Sequence, residues 1–195
     1  MGLGLISFSE VFARLQPELV IVLGDRYEIF SAVSAAHISR IPVAHLHGGE
    51  VTEGAFDDAL RHSITKMSHF HFTSTEGYRK RVIQLGESPE RVFNVGAIGL
   101  DNITRLDLMS REEFEESIDL KLNKNNLLCT FHPVTLEANT AAEQVQNLLN
   151  VLEQLDDTNI IFTKTNADTD GRVINQLIDD FVQKDASRYR AFTSL

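Results

Sequence analysis

The segment LVIVLGDRYEIFSAVSAAHISRIPVAHLHGGE, residues 19–50, decides the fold class. Leu19 to Gly24 is a short apolar, β-branched run that ends in glycine and aspartate, and Pro42 to His47 is a second such run. Between them Ile29, Val33 and Ala36 recur at helical spacing. Short apolar runs bounded by turn residues read as buried strands, and apolar residues three or four apart as the inner stripe of a helix. Two strands joined by a helix pair in parallel, because a tight hairpin is not available to them.

Working outward, HFHFTS (69–74), RVFNVG (91–96), NLLCTFH (126–132) and NIIFTK (159–164) read as further strands. Phe8, Val11, Phe12 and Leu15 before Pro17, and Val145, Leu148, Leu149 and Leu152, read as helical stripes. The expected fold class is α/β, with parallel sheets carrying helices on both faces. The β-rich pattern lapses between residues 97 and 125, where Ser110 reads as the N-cap of REEFEES. A boundary is expected at 118–125, giving units 1–118 and 119–195. The second unit holds only two or three strands, fewer than a doubly wound domain of about 100–150 residues contains. The chain is therefore expected to be a piece of a longer protein.

Composition narrows the function classes. Of 195 residues, 43% are hydrophobic and 24% charged, which describes a globular chain and not a disordered one. No apolar run approaches the ~20 residues of a membrane span, and the start MGLGLISFSEVFARLQ lacks a basic region with a cleavage site, so the expected location is the cytoplasm. The single cysteine, Cys129, excludes an intrachain disulfide and any multi-cysteine zinc module. A net charge of −10, relieved only by the patch Arg79, Lys80 and Arg81, argues against nucleic acid as a partner. An anionic ligand would have to be held by local devices such as helix N-termini and a few placed cations.

Five motifs could carry chemistry. Gly24-Asp25-Arg26-Tyr27-Glu28 leaves the carboxyl end of a strand, where ligands of parallel sheets bind, so Asp25 either acts on a substrate or caps the next helix. In His45-Leu46-His47-Gly48-Gly49-Glu50, alternation puts His45 and His47 on one face, and the glycine pair allows a close backbone approach to a ligand. A metal reading draws on His62, His69 and His71 as well, but no carboxylate spacing completes a site, so neutral buried or substrate-facing histidines are preferred. On a helix, Asp58, Arg61 and His62 share a face, while one of Asp57 and Asp58 can be explained by the helix dipole. His132, before Pro133, ends the first strand of the second unit and reads either as ligand-facing or as a loop histidine. The polar run 165–172, with Asn166, Asp168 and Asp170, reads as an N-capped turn suited to an anion; it lacks the glutamate of a calcium loop and the lysine of a phosphate loop.

Taken together, VLGDRYEIFS, HLHGGEVTEGAFDDALRHSITKMSHFHFTSTEGYRKRVIQLGE, VFNVGAIGLDN, FHPVT and TNADTDGR resemble the hydrolysing UDP-N-acetylglucosamine 2-epimerases of sialic acid synthesis, the NeuC type. The block from His45 to Glu87 is the most specific part. The resemblance implies two Rossmann-like units of a glycosyltransferase-B-like fold, both truncated here, with a UDP-sugar substrate, no cofactor, no metal and a homo-oligomeric full-length protein. It implies elimination of UDP to a glycal, followed by water addition that inverts C2 and releases N-acetylmannosamine. Asp25 and Asp57 match its acid/base aspartates. A catalytic glutamate of related enzymes aligns with His47, and the nearest acid here is Glu50, so these two complete the expected catalytic set. Arg26, Gly48, Gly49, Arg61 and His62 are expected to bind substrate, His132 the nucleotide or phosphate, and Asn166 the nucleotide side. These residues alone are expected to be inactive, since the family's phosphate loops fall outside them. A UDP-N,N'-diacetylbacillosamine 2-epimerase, a metal-dependent phosphohydrolase and a noncatalytic sugar-nucleotide-binding module are the competing readings.

Overall fold

A computed structural model describes residues 1–134, 140–166 and 170–194 of the chain. It is α/β and divides into two compact units, 1–106 and 107–195. In the first, α1 (Gly2–Leu15) precedes β1 (Val20–Leu23), α2 (Tyr27–Ile38), β2 (Val43–Leu46), α3 (Asp57–Met67), β3 (Phe70–Thr73), α4 (Glu76–Gln84), β4 (Val92–Asn94) and α5 (Gly99–Arg105). The second runs α6 (Arg111–Ser117), β5 (Asn125–Thr130), α7 (Ala141–Glu153), β6 (Thr158–Thr163), α8 (Gly171–Lys184) and β7 (Tyr189–Phe192). Every strand expected from the sequence is present, each within a residue or two of its anticipated limits.

The first sheet is parallel, in the order β1-β2-β3-β4. Right-handed crossovers that always step in the same direction place α2, α3 and α4 on one side of it. That side is the core: Val22, Val33, Ala36, Val43 and Ile64 are buried there with Phe12 of α1. Each of these valine, isoleucine and phenylalanine side chains contributes roughly 1.5–3 kcal/mol by leaving water. Leu15 does not join the stripe expected of it and faces solvent. Among the described residues the helices of this unit cover one face of its sheet, and Ile21 (66% exposed), Leu23 (53%) and Phe93 (43%) lie on the other.

The second sheet, β5-β6-β7, is also parallel. Its strand β6 is covered on both sides: Ile160 and Phe162 pack with Val145 and Leu149 of α7 and Ile174 and Ile178 of α8, while Ile161 packs with Ile118, Leu120 and Phe114. This second cluster moves the boundary twelve residues earlier than the sequence pattern indicated. The later part of the stretch where the β-rich pattern lapses, 107–122, packs against β6 through Phe114, Ile118 and Leu120. Asn159, fully buried, accepts from Asn123 (2.7 Å) and donates to the Lys121 carbonyl (2.6 Å). Glu115 ties α6 to the same segment, and its bonds from Lys121 and then Arg111 hold its carboxyl down at about 2. Ser110 caps α6 in a full capping box with Glu113, as its position before REEFEES implied.

The turn after β2 separates an inward-facing histidine from an outward-facing one. His45, on the core side, is completely buried, with Nε2 2.8 Å from the Gly24 carbonyl and Nδ1 3.2 Å from the Thr65 hydroxyl. Burial pushes its imidazole from the usual 6.5 down to about 4, so the ring is neutral, donating from Nε2 and accepting at Nδ1. His47 does not share its face. β2 ends at Leu46 and His47 takes a left-handed φ of 65°, which breaks the alternation and turns the side chain outward. Gly48 and Gly49 are both buried, so the close approach they permit is to the protein itself. A Cβ on Gly48 would meet the His45 ring at 3.0 Å, and one on Gly49 would lie 2.5 Å from the Tyr78 carbonyl. Gly49 also has a φ of +81°.

This packing has two measurable outcomes. Gly49→Ala combines a left-handed backbone with a backbone clash and is expected to destabilise unit one by on the order of 3 kcal/mol. Gly24→Ala, which has a similar φ but open space around it, is expected to cost only about 1–2 kcal/mol; urea titrations compare the two. The second concerns pH. Burial lowers the His71 imidazole as well, against the opposing pull of Glu87. Both rings bind a proton more readily in the unfolded chain, so each contributes stability that is lost on acidification; for His45 it is full above about pH 6.5, declines as pH falls toward 4 and then levels. For His45 the decline is on the order of 3 kcal/mol. Unfolding midpoints between pH 7 and 5 are expected to show it, and His45→Asn is expected to flatten it.

Candidate active site

The residues singled out in unit one gather at the carboxyl edge of the first sheet. Asp25 follows β1, His47 to Glu50 follow β2, Ser74 follows β3 and Ile98 follows β4. Parallel strands point every one of these connections to the same edge. The N-terminal half of α3 brings Asp57, Asp58 and Arg61 to it.

Arg61 is the hub. Its side chain is only 5% exposed. Nη2 donates to Asp25 Oδ2 and to the Thr52 hydroxyl (3.0 Å), while Nη1 donates to Asp58 Oδ1 (2.6 Å) and the Glu50 carbonyl (2.7 Å). Asp58 Oδ1 also accepts from the Thr52 backbone N–H at 3.0 Å. A buried guanidinium requires such partners, since leaving a charge unpaired costs several kcal/mol. The expectation that Arg61 binds substrate therefore meets a guanidinium already engaged on four bonds. What it does here is hold Asp25 and the 50–52 turn in place. The capping alternative for Asp25 is overturned: the N-cap of α2 is Arg26, and the Asp25 carboxylate is turned to Arg61.

Of the adjacent aspartates, Asp58 forms the ion pair, and Asp57 opens α3, half-buried, where a carboxylate complements the helix dipole. Arg26 is half-buried, bonded to Glu28 at 3.3 Å with its guanidinium over the Tyr27 ring. His62 lies beside Arg61, and its Nδ1 is buried with no hydrogen-bond partner among the described residues.

A second group stands on the same edge. His47 Nδ1 lies 2.9 Å from Glu50 Oε1, and the Ser74 hydroxyl donates to that same oxygen at 2.6 Å. Ile98 N–H points at His47 Nε2 from 3.5 Å. This geometry suits the tautomer with the proton on Nδ1 and the acceptor lone pair on Nε2. Sequence reading missed Ser74, which sits in a Ser-Thr run at a strand end with nothing local to mark it. Gly48 and Gly49, expected to face a ligand, are the buried floor of this turn, and Arg81 donates to the Gly49 carbonyl.

In unit two, His132 is exposed just beyond β5 and Asn166 is exposed just beyond β6. His132 Nδ1 stands 3.5 Å from the Thr165 hydroxyl, and Asn175 brackets the Thr165 backbone with bonds of 3.0 and 3.1 Å. Both site residues therefore lie at the carboxyl edge of their own sheet. Asp170 precedes α8 with φ 64° and makes no side-chain cap bond, contrary to the N-capped turn expected there. Thr135, Asp168 and Thr169 lie outside the described residues. Among the described residues no three His, Cys, Asp or Glu side chains converge on a metal position, and no helix is long and apolar enough to cross a membrane.

The profile of the family described as UDP-N-acetylglucosamine 2-epimerase matches residues 1–195. The chain is 42% identical over all 195 residues to the GDP/UDP-N,N'-diacetylbacillosamine 2-epimerase (hydrolyzing) of Campylobacter jejuni, covering 51% of that protein. It is 43% identical over 190 residues, 97% of its length, to polysialic acid biosynthesis protein P7 of Escherichia coli, covering 48% of it. The chain thus spans about half the length of the curated relatives it matches. Among solved structures, the UDP-GlcNAc 2-epimerase from Neisseria meningitidis bound to UDP-GlcNAc shares the fold with a TM-score of 0.77 at 18% identity, over 97% of this chain and 52% of that one. The fold class is the one the resemblance implied, α/β with Rossmann-like units of the glycosyltransferase-B-like type. Matched along its whole length by the family profile and by relatives of more than 40% identity, the chain belongs to the UDP-N-acetylglucosamine 2-epimerase family.

Proposed function

We propose that the protein containing these 195 residues is a hydrolysing UDP-sugar 2-epimerase that converts UDP-N-acetylglucosamine to N-acetylmannosamine and UDP. The observation that carries this reading is the set of acidic groups fixed at one sheet edge: Asp25 on Arg61, with Glu50 on His47 and Ser74. Elimination needs a base for the C2 proton. As that proton leaves, the C2–H electron pair forms the C1=C2 bond, and UDP departs with the C1–O pair. Water then supplies hydroxyl to C1 and a proton reaches C2 on the opposite face. Positioned carboxylates and an imidazole suit both proton transfers. Asp25, Asp57, Glu50 and His47 take the acid/base roles, and Arg26 and His62 face the sugar nucleotide. His132 and Asn166 of unit two supply nucleotide contacts.

A second reading has a specific observation behind it. The Campylobacter relative, 42% identical over the full chain, is a diacetylbacillosamine epimerase, which makes UDP-N,N'-diacetylbacillosamine the alternative substrate. The two sugars differ at C4 and C6, away from the bonds that react, so the same acid/base groups serve either.

Incubating the full-length protein with each UDP-sugar, and following release of UDP and the free 2-epimeric sugar, decides between them. Turnover of UDP-N-acetylglucosamine to N-acetylmannosamine is the expected result, and a protein that consumes neither sugar overturns the proposal. Asp25→Asn keeps an acceptor oxygen for Arg61 but removes the base. It is expected to lower kcat by roughly 10²–10⁴-fold while UDP affinity, read by isothermal titration, stays near wild type.

A further inference from the structure

Ser74 has no part in the expected site, yet it makes the shortest bond to Glu50. Its hydroxyl, one residue beyond β3, donates to Glu50 Oε1 at 2.6 Å, and that oxygen also accepts from His47 Nδ1 at 2.9 Å. Glu50 sits in a turn with 30% of its side chain exposed, where a lone carboxylate would exchange rotamers freely. Two donors on one oxygen fix the orientation of the carboxylate, and through it the ring. His47 is itself held in a left-handed backbone conformation, with its N–H bonded to the Phe72 carbonyl at 2.8 Å. Non-glycine residues persist there only when their surroundings over-determine them, a pattern concentrated at functional sites.

The consequence is a choice of nitrogen. With Nδ1–H directed at Glu50, the lone pair of the neutral ring is on Nε2. There the only hydrogen bond among the described residues is from Ile98 N–H at 3.5 Å, the long limit of such a bond. We infer that Ser74 is a positioning residue: by holding Glu50 Oε1 against His47 Nδ1, it makes Nε2 of His47 the atom that takes and returns a proton in the reaction. Ser74 touches no substrate in this scheme and loses no proton. The inference rests on the epimerase reading above.

The test uses the full-length protein with Ser74→Ala and Ser74→Thr. Two readouts are followed: kcat and KM for UDP-N-acetylglucosamine, and the 15N chemical shifts of the His47 ring, which distinguish the Nδ1–H from the Nε2–H tautomer. Ser74→Ala is expected to lower kcat by about 10²-fold, leave KM within about twofold, and shift His47 from the Nδ1–H form toward a mixture. Ser74→Thr, which keeps the hydroxyl, is expected to restore both. An unchanged kcat in Ser74→Ala overturns the inference, as does an unchanged tautomer or a threonine that restores neither. If the wild-type protein turns over no UDP-sugar, the epimerase reading is what fails, and the ring shifts still decide whether Ser74 sets the tautomer of His47.

Discussion

The buried guanidinium of Arg61 is the constraint on which the rest of unit one is arranged. A cation taken out of water must recover its solvation from fixed partners. Here the partners come from three places: Asp25 after β1, Glu50 and Thr52 in the turn after β2, and Asp58 one helical turn back on α3. Satisfying one side chain therefore fixes two strand-end connections and the first turn of α3 against each other. Asp25 is 36 residues from Arg61 in sequence, and its position is set by this pair and not by the helix it precedes.

Topology supplies the second half of the arrangement. With strand order β1-β2-β3-β4, every crossover steps the same way, so the helices stack on one side and the connections leaving the strands line up along the carboxyl edge. Asp25, His47, Glu50, Ser74 and Ile98 come from four successive connections, and each needs only to leave its strand in the right direction. At β2 this required a departure from regular geometry. Continued alternation would have sent His47 into the core beside His45, where burial holds an imidazole neutral and out of reach. The left-handed residue rotates it to the edge instead, and two buried glycines let the chain turn tightly enough to return Glu50 to it.

Unit two repeats the plan with less of it in view. His132 and Asn166 occupy the same place on their sheet that Asp25 and the 47–50 turn occupy on theirs, just past the carboxyl ends of neighbouring strands. The acid/base candidates all belong to unit one, and the groups read as nucleotide contacts to unit two.

What the sequence by itself determined is everything carried by local pattern. The strands, the main helical stripes, the N-cap at Ser110 and the family were legible, because periodicity, turn residues and motif blocks are written in neighbouring positions. Asp25, His47, Glu50 and Arg61 were legible as a set of candidates for the same reason. Only the tertiary structure decided what each does. Asp58 pairs with Arg61, Arg61 grips the protein, the glycine pair packs inward, Ser74 joins Glu50, and segment 107–122 belongs to the second unit through Phe114, Ile118 and Leu120. Each of these depends on a contact between residues distant in sequence or on a single backbone angle that leaves the repeating pattern. Neither leaves a trace in local periodicity, and the desolvation of a charge or the clash of a Cβ exists only once the chain has closed around it.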